Sequence, residues 1–197
     1  MKAIFLGLAL SLASQAQPAG HTSLRAILLE QLHSTHDRKE WFVPAKIAVE
    51  GLSPKQASWT DGSGNHSVGQ LTAHLVFWNQ QQLAKFKGGP IKSNIVNDET
   101  FNNFDSASWS ATVRQLDEVL SALEKVVETA TEGQLDSWAS TIAHIGAHNA
   151  YHIGQIKYVR KLQGAWDASN GVKKTARCTR ENSRPTATPA ARKPPPA

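Results

Sequence analysis

The stretch VRQLDEVLSALEKVVETA, residues 113–130, carries the most regular hydrophobic pattern in the chain. Val113, Leu116, Leu120, Leu123, Val127 and Ala130 alternate steps of three and four, which puts all six on one stripe of a helix. Most positions between them are polar or charged, so the opposite face turns to water. A single stripe of this kind cannot bury itself, and the sequence around it must supply partner helices.

Three other segments qualify. From Thr22 or Ser23, SLRAILLEQLHSTHDRKEWFV places Leu24, Ile27, Leu28 and Leu32 at helical spacing. Pro44 should kink or interrupt this helix, and AKIAVEG continues it to Gly51. LSPKQASWTDGSGN then reads as a connector, being dense in Gly, Ser, Pro and Asp. A second helix starts near His66 or Ser67 with Val68, Leu71, Leu75 and Trp78 inward, and stops at Gly88, Gly89 and Pro90. IKSNIVNDETFNNFDSAS is a long polar loop that Phe101 and Phe104 can pin down. The helix of the opening stretch follows, capped by Asp105, Ser106 or Ser108. A last helix spans roughly Ser140 to Gln163, with Gly164 as its stop. No segment sustains strand alternation. The reading is an all-α fold, a four-helix bundle, in which the long second connection permits departure from simple up-down order.

The ends differ from this domain. Lys2 followed by AIFLGLALSLA and SQAQ has the layout of a secretory signal cut after about Ala16, too short for a transmembrane span. Residues 17–167 form the expected domain, and residues 168–197 the expected tail. The tail is rich in Pro, Ala, Thr and basic groups and nearly devoid of large apolar ones, a composition that predicts disorder. It holds seven Lys or Arg against one Glu, whereas the whole chain is only +5, so the domain itself is near neutral. That balance gives nucleic-acid binding little support. The single cysteine, Cys178, allows no intramolecular disulfide. The expectation is an exported protein, periplasmic or extracellular, without a transmembrane segment.

Histidine carries the candidate chemistry. HIGAHNAYHIGQI, residues 144–156, repeats His144, His148 and His152 at intervals of four. Its apolar direction is set by Ile145, Ile156 and Val159, with His152 near the middle, His148 on the flank and His144 further out. Residues four apart lie roughly 6 Å from each other, close enough to share an ion. In QLTAHLVFW, His74 sits between Leu71 and Trp78 on the inward side. One His from one helix and a His-x-x-x-His pair from another can hold a divalent ion between them. The competing reading is three hydrogen-bonded core histidines. His33 and His36 are assigned to a solvated face, although His36 could approach the bundle mouth. His66 is assigned to a helix start.

HSVGQLTAHLVFWN, RKEWFVP, the SW before the third helix and above all AHNAYHIGQIKYVRKLQGAW resemble the DinB/YfiT-like family over residues 23–166. The resemblance implies a four-helix bundle, often a homodimer, with a three-histidine site for zinc, nickel or a related ion. The ligands it implies are His74, His148 and His152; His144 is outside the set. Some relatives resemble thiol transferases, so the resemblance also implies a small-molecule substrate. Asn149 stands where a His-Glu-x-x-His peptidase has its general base, which argues against a zinc peptidase. No catalytic acid or base stands out, although Asn149, Tyr151 and Gln155 are polar neighbours. Two functions follow: a metal-dependent transferase or hydrolase acting on a small molecule, or a non-catalytic exported binding module whose metal site is structural or vestigial.

Overall fold

The computed structural model describes residues 22–172, and helix is the only regular structure among them. The expected signal, residues 1–16, and all of the expected tail beyond Val172 lie outside the described residues; Ala168–Asn170 form a 3-10 turn. Four long helices dominate: α1 (Leu24–His36), α4 (Val68–Phe86), α5 (Trp109–Thr129) and α6 (Glu132–Leu162). Short helices α2 (Ala45–Val49) and α3 (Pro54–Ala57) lie between α1 and α4. No helix among the described residues is long and apolar enough to cross a membrane.

Helix α1 ends earlier than its composition suggests. Pro44 disfavours helical geometry at the residue before it, so the preceding turn is costly to wind. At the last turn, the His36 ring is bonded to Glu124 and Asp117 of α5, which ties down the helix end. The chain then bends at residues 40–42 on its way to Pro44, burying Val43 and leaving Trp41 91% exposed, and Pro44 caps α2. The connector also contains α3, closed by a capping box in which the Ser53 hydroxyl accepts from the Gln56 N–H and the Gln56 side chain accepts from the Ser53 N–H.

Helix α4 begins with the same device, Ser67 and Gln70, and ends where Gly88 takes a φ of +68°. Helix α6 starts eight residues before the expected Ser140, because Thr131 and Gln134 form a third capping box. Of the three residues expected to cap α5, Ser108 is the N-cap, without a side-chain bond, while Asp105 accepts from the Ala107 N–H of the preceding 3-10 turn.

Each long helix packs on two others: α1 on α5 and α6, and α4 on α5 and α6. The start of α4 (Gly69) lies beneath Phe104, just before α5, whereas its end (Phe86) packs at a tilt against Trp138, near the start of α6. Helices α4 and α5 therefore run in the same direction, which requires the long connection from Gly88 to Ser108. Leu71, Leu75, Leu116, Leu123, Leu135, Ile142 and Ile156 fill the interior. Burying each such side chain contributes about 1.5–3 kcal/mol, and this sum stabilises the fold without disulfides.

Candidate metal centre

His74 is 1% exposed on the inward face of α4, opposite the α6 pair. His152 is also buried and His148 is half-buried. A nitrogen from each ring lies within 4.8 Å of the other two, and His74 Nε2 is 3.2 Å from His148 Nε2. Two nitrogens bound tetrahedrally to one zinc ion stand roughly 3.3 Å apart, so this spacing suits a shared ion.

The outer edges of two rings are fixed by hydrogen bonds. Thr100 Oγ1–H donates to Asn97 O at 2.6 Å, leaving its oxygen to accept from His74 Nδ1–H. His152 Nδ1–H donates to Gln155 Oε1 at 2.6 Å, and Gln155 Nε2 donates to Tyr151 Oη at 3.3 Å. Both bonds leave Nε2 as the lone-pair nitrogen facing the centre. With His74 Nδ1–H committed, the bond between His74 and His148 has His148 Nε2–H as its donor. Phe101 is sandwiched between His74 and His66, with ring centroids 4.0 Å and 3.8 Å away and planes within 6° of parallel. This stack holds the plane of the His74 ring and gives His66 a packing role.

Electrostatics keeps the cluster neutral. Burial, then repulsion from His152, His148 and His66, depresses the His74 pKa to about 3. Burial and His148 depress His152 to about 4, and burial lowers His148. Neutral imidazole is the form that ligates a metal, so the donor set fits a dication.

His144 lies apart and exposed, its Nδ1–H donating to Ser140 O at 2.7 Å. Asn149 is buried away from the centre in a pair with Asn79, whose Nδ2 donates to Asn149 Oδ1 at 2.8 Å. His36 corrects the reading of a solvated face, since it is 5% exposed. Its Nδ1 is 2.9 Å from Glu124 Oε1 and its Nε2 3.1 Å from Asp117 Oδ1, while His33 Nδ1 is 3.0 Å from the same Glu124 oxygen. His33, Asp37 and Glu124 also bring ligand atoms together, but Glu124 is already shared by His33 and His36 in a clasp between α1 and α5, and Asp37 is exposed. Burial opposes a charge on His36, but the bonds to Glu124 and Asp117 outweigh it and raise its pKa.

Thr100 is the partner that sequence reasoning missed. It lies 26 residues from His74 in a short 3-10 helix, Asn97–Asn103, whose polar sequence has no periodicity to mark which side chain turns inward. Its neighbour Phe101, expected to pin the loop, was the available signal.

Residues 45–156 match the model of the DinB superfamily. No curated protein and no solved structure matches the chain. With the match covering more than half its length, from α2 to the second half of α6 and including all three clustered histidines, the chain belongs to the DinB superfamily.

Proposed function

We propose that His74, His148 and His152 hold one divalent ion, zinc or nickel, between α4 and α6, and that the centre serves metal-dependent chemistry on a small molecule. The observation that carries this reading is the convergence of three neutral imidazoles, two of which are held with Nε2 inward by Thr100 and Gln155. The packing of the four long helices supports the four-helix bundle of the family. The bound ion would supply Lewis acidity toward a ligand at a remaining coordination position.

The protein's own part is orientation and proton management. Thr100 and Gln155 fix two rings, Phe101 shields one face of His74, and ligation requires the His148 ring to carry its proton on Nδ1 instead of Nε2. Metal binding should weaken in acid, where protons compete for the ring nitrogens. Among the polar side chains bonded to the three rings, Thr100 and Gln155 are neutral, so a transferase or hydrolase here would draw its acid–base group from the substrate or from water. The hydrophobic leader expected over residues 1–16 assigns this chemistry to an exported protein. Metal analysis of the purified chain tests the reading: one equivalent of zinc or nickel supports it, and its absence after incubation with either ion refutes it.

A further inference from the structure

Helices α4 and α6 meet along an antiparallel ladder: Phe86 packs against Trp138, Asn79 pairs with Asn149, and His74 faces His148 and His152. Apolar side chains such as Trp78 and Ile145 line the same seam. Apolar contact is non-directional, so it does not by itself fix how far one helix slides along the other. Hydrogen bonds do. Among the described residues, the side-chain hydrogen bonds joining α4 to α6 are the His74–His148 contact and the two bonds of a single amide pair.

That pair closes on itself. Asn79 Nδ2 donates to Asn149 Oδ1 at 2.8 Å, and Asn149 Nδ2 donates back to Asn79 Oδ1 at 3.3 Å. Asn79 Nδ2 also donates to Leu75 O at 2.8 Å, which pins the amide to the turn of α4 just after His74. Asn149 directly follows His148. Both asparagines are buried, at 2% and 1% exposure, so water does not replace a lost partner. Two apolar side chains of the same shape would hold the helices together about as well, because a buried hydrogen-bonded pair has a modest net value. What the amides add is a penalty for sliding. A shift of one residue, about 1.5 Å, pulls them apart and leaves buried polar groups unpaired. The same shift far exceeds the roughly 0.2 Å within which metal–nitrogen distances are held.

We propose that Asn79 and Asn149 are positioning residues that set the register of α4 against α6 and so bring His74 opposite His148. Thr100 and Gln155 turn individual rings, whereas the amide pair places the helices that carry them. In its consequence for ligation the proposal rests on the metal reading above; as a register device it does not.

The test compares the full chain with Asn149→Leu and with the double variant Asn79→Leu/Asn149→Leu. Zinc affinity is measured by chelator competition, and thermal melting on metal-free protein. Register is read without metal from the distance between spin labels at Lys85→Cys and Lys161→Cys, exposed positions on α4 and α6, in a Cys178→Ser background. The single variant strands the Asn79 amide and should lower the melting temperature by about 2–4 °C or more. The double variant should melt close to wild type, yet bind zinc about 10–100-fold more weakly, with the label distance shifted by about 1.5 Å or more, or spread over several values. That separation of affinity from stability is what a merely structural pair would not produce. An unchanged label distance overturns the proposal, as does wild-type zinc affinity in the double variant. A double variant that does not fold overturns it too, since the pair would then be holding the fold together. If the wild type itself binds no zinc, the metal reading fails and the label distance alone decides: a shift or spread upholds the register device, and no change refutes it.

Discussion

The same imidazole side chain is driven in opposite directions at two places in this molecule. Around His74 and His152, burial and neighbouring histidines favour the neutral ring; at His36, Glu124 and Asp117 favour the charged one. The signs give a pH profile. For the metal-free protein, His74 and His152 bind fewer protons folded than unfolded, so their contribution is full above about pH 6.5 and lost as pH falls toward 4. His36 binds more protons folded, so its contribution is full below 6.5 and lost as pH rises through its elevated pKa. Urea unfolding of metal-free protein should accordingly show greatest stability near pH 6.5, and His36→Gln should remove the alkaline decline; an unchanged decline would show that His36 is not its source. Thr100→Val should leave the helical content intact and weaken zinc binding by about 10–100-fold, the usual effect of losing a partner that orients a ligand. Thr100→Ser, which keeps the hydroxyl, should restore most of it in a competition assay.

Helix existence was legible in the residues, whereas several boundaries were not. Stripes such as Leu116–Leu120–Leu123–Val127 mark a buried face without indicating where winding starts. Thr131–Gln134 and Ser53–Gln56 are readable capping boxes, but each lies in polar sequence with too few apolar residues to draw attention. The triad was legible because helical spacing sets the phase of His74, His148 and His152. The clasp at His36 was not, since its partners are on α5 and no local pattern ties 36 to 117 and 124. Arg160, in the stretch RKLQG, ties the end of α6 to the rest of the fold. Its guanidinium is 5% exposed and donates to Ala48 O at 2.8 Å and Ala165 O at 2.9 Å, while Gly164, at φ +72°, lets the chain turn back. Replacing Arg160 with Met should destabilise the protein by about 2–3 kcal/mol in urea unfolding, because several carbonyls lose a charged donor. Arg160→Lys should recover little, since an ammonium cannot span both carbonyl groups.

At the scale of the whole molecule, the crossover from Gly88 to Ser108 does two things. It allows α4 and α5 to run in parallel, and it delivers Thr100 and Phe101 onto the outer edge and face of His74. The histidine centre and the His36 clasp then occupy opposite seams, α4–α6 and α1–α5, which lets one seam be tuned for ligation while the other ties the bundle. The basic segment after Val172 carries no apolar stripe, so a chain ending at Val172 should melt within about 2 °C of the full chain, corresponding to at most about 1 kcal/mol. The central claim is that one ion is shared by His74, His148 and His152. Equilibrium dialysis against zinc, with metal content measured for wild type, His152→Ala and His144→Ala, tests it most directly. The account predicts one equivalent in wild type, near-complete loss in His152→Ala and retention in His144→Ala; equal zinc in wild type and His152→Ala would contradict it.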